Sequence, residues 1–186
     1  MHAIHAAALL VAALSGTPAH ACVVRVEQDL RDVEYADVVV VGRIANYELV
    51  LDPVARQRHA DLLASPELLP KTREILEDQD RFLTDYARFD ILVDEVLRGT
   101  TSQKQTVTWD NSTFGEPDAM QAGSFLIALR DPHSPSPPLR GPSGILRDAV
   151  PGSLTVLQAP CSRAFIFEST SEEAGLVRQI LGPTDK

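Results

Sequence analysis

Cys22 is the residue whose position most constrains the chemistry of this chain. It follows a segment with the features of an export signal: an apolar stretch, a helix-breaking Gly16-Thr17-Pro18, and the small residues Ala19 and Ala21 at positions −3 and −1. Cleavage after residue 21 would make Cys22 the first residue of the mature chain. Its α-amine would then be free.

Cys161 is the only other cysteine of the chain. Exported proteins with two distant cysteines commonly join them, so the sequence predicts a Cys22–Cys161 disulfide. Closing a loop of this length would stabilise the fold by about 5 kcal/mol in the chain-entropy model. Two unpaired thiols remain the alternative. The chain has no Cys-x-x-Cys pair and no Cys/His cluster, so neither a bound metal nor another cofactor is expected.

The histidines do not indicate an enzyme. Only His59 and His133 lie beyond the signal segment, and we expect both at the surface, one on a helix and one in a proline-rich loop. The His-Glu-x-x-His, Gly-x-Ser-x-Gly and Ser-x-x-Lys motifs and a phosphate-binding glycine loop are all missing from the sequence. We therefore expect a non-catalytic protein.

The acidic residues predict solvent-facing surface. The formal net charge is −9, which argues against nucleic acid and anionic membranes as partners. Glu77, Asp78 and Asp80 lack the glycine turn of a calcium loop, so a solvated helix face explains them best. The chain should be secreted or periplasmic. Lipidation of Cys22 is the alternative and would anchor the protein to a membrane, although Ala19 stands where a lipobox usually has Leu.

Trp109 is the aromatic residue with two competing interpretations. It ends an alternating strand, which favours a place in the core. The alternative is an aromatic platform on a binding face.

The elements that would position these residues belong to one domain, residues 22–186. A helical insertion is predicted at about 52–88 and a proline-rich loop at about 131–152. Stretches rich in β-branched or alternating apolar residues predict strands at 36–49 (with a bulge at Gly42), 89–97, 105–109, 124–129 and 153–157.

A C-terminal helix completes the predicted fold. Ser169 or Thr170 would cap it, and Gly182-Pro183 would end it. Its apolar stripe would comprise Leu176, Val177, Ile180 and Leu181. Strands separated by turns, with helices at the edges, predict a β-rich α+β fold built on a small barrel.

Several ordered segments together resemble a known superfamily. They are the mature N-terminal Cys22, the segments 36–44 and 89–99, Gly123–Ala128, and Cys161-Ser162-Arg163. In this order they are similar to the netrin-module and tissue-inhibitor-of-metalloproteinases superfamily, specifically its small exported bacterial-type members. The resemblance implies a five-stranded, OB-fold-like Greek-key barrel with the N-terminal cysteine held by a disulfide.

The resemblance also implies a mode of action. The α-amine and carbonyl oxygen of Cys22 would contact the catalytic zinc of a secreted protease, with Val23 near the specificity pocket. Two departures stand out: the mature chain would begin Cys22-Val23-Val24 rather than Cys-x-Cys, and the segment 112–115 lacks the cysteine usually found there. Another envelope protein is the other partner expected. The alternative function is a small-ligand-binding or envelope-structural protein without inhibitory activity.

Overall fold

The computed structural model describes residues 26–79, 84–110, 117–138, 150 and 152–183. Its strands are β1 (Val38–Val50), β2 (Tyr86–Arg98), β3 (Lys104–Asp110), β4 (Ser124–Arg130), β5 (Leu154–Val156) and β6 (Ile166–Glu168). Five of them close in the order β1-β2-β3-β5-β4, and β4 pairs back with β1. The β3–β5 pair is parallel and the others are antiparallel. The predicted OB-fold-like barrel is confirmed.

The valine run at the start of β1 is buried on both faces. Val38 and Val40 pack in the barrel interior, whereas Val39 and Val41 pack in a second cluster outside it. This double burial explains why the run lacks the alternation of a half-exposed strand. The pairing with β2 shifts register at Gly42, where a Cβ atom would lie 2.5 Å from the carbonyl oxygen of Leu92. The predicted bulge at Gly42 is therefore confirmed.

Two apolar clusters hold the fold together. The interior cluster includes Phe89, Ile91 and Val107. The outer cluster lies where a 3₁₀ helix (Leu30–Tyr35) and the C-terminal helix cover β1 and β4, and it includes Val33 and Phe165. Side chains of the strands thus fill the interior of the barrel, and both ends of the described chain cover its outer face.

Strand β6 was not predicted from the sequence. It pairs with residues 125–127 of β4, on the same edge of β4 that β5 occupies further along. The sequence of β6 is only Ile166-Phe167-Glu168, which is too short to produce a period-2 pattern. Its existence depends on pairing with β4 and not on local propensity.

The helical insertion is a hairpin of α1 (Pro53–Ala64) and α2 (Pro70–Glu77). The sequence after Pro70 predicts one helix in which Ile75, Leu76, Phe82, Leu83 and Tyr86 recur at helical spacing. The extension to Tyr86 is wrong, because α2 ends at Glu77 and Tyr86 begins β2. The insertion therefore lies between β1 and β2, and residues 86–88 belong to the barrel. The predicted stripe residues Phe82 and Leu83 lie outside the described residues.

One buried carboxylate joins this hairpin to the barrel. Asp85, 1% exposed, accepts hydrogen bonds from the backbone N–H of Asp52 (2.8 Å) and from the guanidinium of Arg56 (2.9 Å). Asp52 in turn caps α1 through its own side chain. Neither helix contains a buried residue, so these polar contacts, and not an apolar interface, anchor the hairpin.

The C-terminal helix α3 (Glu172–Leu181) begins later than predicted. Its cap is Ser171, whose side chain accepts a hydrogen bond from the backbone N–H of Ala174 (3.2 Å). Ser169 lies before the start of α3, where its N–H extends the β4–β6 ladder by donating to the carbonyl oxygen of Ser124. The buried face consists of Ala174 and Val177; Leu176 and Ile180 of the predicted stripe remain partly exposed.

Candidate functional site

The start of the described chain lies against the loop that contains Cys161. The backbone N–H of Val26 donates to the carbonyl oxygen of Cys161 at 2.9 Å. Cys161 is fully buried and has a positive φ of 65°. Cys22 and Val23 lie outside the described residues.

The Cys161 loop, residues 158–164, connects Leu157 and Phe165, which both hydrogen-bond to β4. Three backbone hydrogen bonds close its base: Leu157 donates to Ala128 (2.8 Å), Ala128 to Phe165 (3.0 Å), and Phe165 to Leu157 (2.9 Å). The chain thus leaves β4 after residue 157 and returns to it at residue 165. The loop projects from a base fixed by the barrel.

Two glutamine side chains fix the loop itself. Gln158 accepts a hydrogen bond from the indole Nε1 of Trp109 (2.9 Å) and donates one to the carbonyl oxygen of Ser162 (2.8 Å). Gln28 donates to the carbonyl oxygens of Arg163 (3.2 Å) and Ala164 (3.4 Å). The loop is therefore held between β3 on one side and the N-terminal segment on the other.

A groove of about 420 Å³ opens beside the loop, and we call it the Trp109 groove. Its described lining combines apolar side chains with polar ones: Trp109, Ala164, Ile166 and Phe167, and Gln28, Gln158, Arg163, Glu168, Ser171 and Glu173. A second recess, of about 490 Å³, shares Gln28, Arg163 and Glu173 with it and extends along Val26 and Glu27. Arg163 is the only cation among these described lining residues, whereas three are glutamates.

Trp109 lies between the barrel interior and the groove. It is half-buried and packs against the barrel interior, as a core residue does. It also lines the groove and holds Gln158 through its indole nitrogen. A change at Trp109 would therefore affect both stability and the groove.

The carboxylate with the most strongly lowered pKa lies elsewhere, on the outer surface of β1, β2 and β3. Asp90 accepts hydrogen bonds from Lys104 (2.8 Å), Thr106 (2.6 Å) and Asn46 (2.7 Å). These donors lower the pKa of Asp90 from 3.8 to about 2, and the hydrogen bond from Lys104 has the largest effect. Since none of these residues lines the groove, we assign the cluster a structural role: it joins three strands.

Neither of the two histidines in the described residues, His59 and His133, lines the groove. His59 is half-buried in the hairpin, where its Nε2 lies 2.7 Å from the carbonyl oxygen of Leu76; the expected surface position is therefore only partly correct. The backbone N–H of His133 donates to the side chain of Asp131 in the proline-rich loop. Within the described chain, no three His, Cys, Asp or Glu residues are placed to hold a metal ion.

Sequence reasoning missed most of the groove. Arg163 belongs to the segment Cys161-Ser162-Arg163, and neither Arg163 nor Gln28 nor Gln158 carries a motif that marks a groove. These residues meet only because the N-terminal segment, β3 and the 158–164 loop converge. Among the described residues, no helix is long and apolar enough to cross a membrane.

Comparisons with known proteins identify no relative. No family model matches the chain, and neither a curated protein nor a solved structure matches it.

Proposed function

We propose that this chain is an exported, non-catalytic binding domain that presents its mature N-terminal end to a partner protein, in the manner of a metalloprotease inhibitor. The observation that carries the proposal is the hydrogen bond from Val26 to Cys161. It fixes the chain a few residues beyond the predicted cleavage point and beside the only other cysteine. A Cys22–Cys161 disulfide needs this proximity.

The chemistry of the proposed contact is simple. An α-amine has an ordinary pKa of about 7.7–8.0, so a substantial neutral fraction with a free lone pair exists at physiological pH. The amine and the carbonyl oxygen of Cys22 would together occupy two coordination positions of a protease zinc, whose catalytic site keeps an open position. Val23 would enter the adjacent specificity pocket.

The surroundings favour a fixed N-terminal end. The bond from Val26 and the two bonds from Gln28 hold the segment after Cys22 against a loop whose base is pinned to β4. A binding segment that is ordered in advance loses less conformational entropy when it binds.

The first test is the mass of the mature protein exported from its native host. A chain that begins at unmodified Cys22, two hydrogens lighter than its reduced form, would support the proposal. A diacylglyceryl group on Cys22 would overturn it, because the α-amine would then sit at a membrane anchor.

The second test is inhibition of secreted zinc proteases, with thermolysin as the reference enzyme. The matched variant carries one extra alanine before Cys22 and should inhibit at least about a hundredfold more weakly, since its amine is displaced from the zinc. Equal inhibition by both forms would overturn the chelation mechanism. A lack of inhibition by the native form across the panel would overturn the inhibitory function.

A further inference from the structure

The outer edge of β6 presents backbone groups to the Trp109 groove. Residues 165 and 169, on either side of β6, bond to β4: Ala128 donates to Phe165 (3.0 Å), and Ser169 donates to Ser124 (2.8 Å). Hydrogen-bonded positions alternate along an antiparallel pair, so Phe167 faces β4 as well. The backbone N–H and C=O groups of Ile166 and Glu168 therefore point away from β4.

Three of these four groups have no backbone partner within the described part of the chain. The carbonyl oxygen of Glu168 accepts from the N–H of Ser171 (2.9 Å), which leaves the N–H of Glu168 and both backbone groups of Ile166. Unpaired backbone groups at a sheet edge are a template for another strand. All three belong to residues that line the groove.

The groove has room for a short extended segment. Its volume of about 420 Å³ lies within the range of peptide and ligand clefts. Its lining beyond β6 includes Trp109, Gln28 and Arg163. A bound peptide would thus lie between the β6 edge and the surface that fixes the Cys161 loop.

Charge indicates which peptide fits. Glu168 and Glu173 line the groove, and Glu27 lines the adjoining recess, against the single cation Arg163. Ile166 and Glu168 lie two residues apart and therefore share one face of β6. A strand added beside them would place an apolar side chain near Ile166 and, two residues away, a cationic one near Glu168.

We propose that the edge of β6 binds an extended, lysine-bearing peptide segment of a partner protein by strand addition. The proposal extends the partner-binding function to the neighbouring groove, and it does not depend on the α-amine of Cys22. Main-chain hydrogen bonds supply the attachment, and the glutamates select the charge.

The test uses the full mature chain, labelled with ¹⁵N, and the blocked peptide Thr-Lys-Thr-Val-Thr-Lys-Thr, which has the same side-chain order in either strand direction. Addition of the peptide should shift the amide resonances of Ile166 and Glu168 and slow their hydrogen exchange at least tenfold. The peptide in which both lysines are replaced by glutamate should bind at least about fivefold more weakly. The same peptide N-methylated at both the central valine and the threonine that follows it, which removes the donor to Ile166 in either strand direction, should also bind more weakly.

The matched protein variants are Glu168→Pro and Glu168→Ala. Proline removes the N–H that faces the groove but none that bonds to β4, so it should abolish binding while the domain stays folded. Alanine keeps that N–H and should remove only the preference for lysine. If Glu168→Pro unfolds the domain, the N-methylated peptide still tests the backbone contact.

Three results would overturn the proposal: slow exchange of the Ile166 and Glu168 amides in the free protein, peptide-induced shifts confined to other surfaces, or equal binding of the N-methylated peptide. The titration is repeated on the form with an extra alanine before Cys22. Peptide binding should persist there, so a failure of zinc chelation and a failure of strand addition are separate outcomes.

Discussion

The backbone N–H of Val26 bonds to the carbonyl oxygen of Cys161 at 2.9 Å, although the two residues lie 135 positions apart in the sequence. Because Cys161 is fully buried, the bond ties the N-terminal segment to a fixed part of the fold. The described N-terminal segment that begins at Val26 and the Trp109 groove are therefore parts of one surface. Its integrity depends on how firmly the Cys161 loop is held.

Reduction of the mature protein should test the predicted disulfide. If Cys22 and Cys161 are joined, dithiothreitol should lower the free energy of unfolding by up to about 5 kcal/mol, because the unfolded chain gains entropy. Urea unfolding with and without the reductant measures this change. The Cys22→Ser/Cys161→Ser variant should show no effect of reductant. If the reductant also leaves the free energy of unfolding of the native protein unchanged, the disulfide is contradicted.

Asp90→Asn should destabilise the barrel and alter its acid unfolding. The variant should lose about 1 to 3 kcal/mol at pH 7, because Lys104 loses its charged acceptor. The folded pKa of Asp90, about 2, lies below its ordinary value of 3.8, so the native protein should lose this contribution as the pH falls from about 4 to about 2.

Urea unfolding at several pH values checks the Asp90 prediction. The difference in stability between the native protein and Asp90→Asn should shrink across that acidic window. Asp94→Asn is the control, because Asp94 pairs with Arg43 at an exposed site and should change stability by less than about 1 kcal/mol. A difference that stays constant down to pH 2 would contradict the assigned pKa.

Val177→Ala should destabilise the protein by about 1 to 3 kcal/mol, since Val177 is fully buried between α3 and the outer face of the barrel. Leu176→Ala, at a neighbouring position that is 40% exposed, should cost clearly less. Thermal unfolding of both variants measures the order. The reverse order would mean that α3 packs against the barrel through Leu176 and not through Val177.

The helical hairpin should open independently of the barrel. Its helices have no buried residues, so amides of α1 should exchange hydrogen faster than those of β4 by several orders of magnitude. Asp85→Asn should accelerate exchange in α1 further, because the charge that holds Arg56 is lost. Amides in β4 should keep most of their protection; a parallel loss in β4 would show that the hairpin and barrel unfold together.

The barrel strands were predictable because their patterns are local. The valine run before Gly42 and the alternation around Phe89 each mark a strand without help from distant residues. Two errors arose where local pattern and tertiary contact compete. Tyr86 continues a helical spacing but pairs with β1 and β3, and Ser169 resembles a helix cap but bonds to Ser124.

The groove was beyond prediction for a different reason. Gln28, Trp109 and Arg163 are far apart in the sequence and meet only through the closed barrel. The β6 edge depends in the same way on the pairing of β6 with β4, and three residues are too few to predict that pairing from the sequence. A single sequence can indicate the strands and helices that contribute to such a site, but it does not show that they meet at one place in the fold.

The base of the 158–164 loop has a consequence for protein engineering. Leu157, Ala128 and Phe165 bond to one another through their backbones, so the barrel is closed before the chain enters the loop and after it leaves. A single residue inserted beside Arg163, the one exposed residue of the loop, would therefore leave these bonds in place. Exchange of the whole loop would instead break the bridge between Gln158 and Ala164 and remove the buried residues Ala159 and Ser162, so a new specificity should be introduced at Arg163.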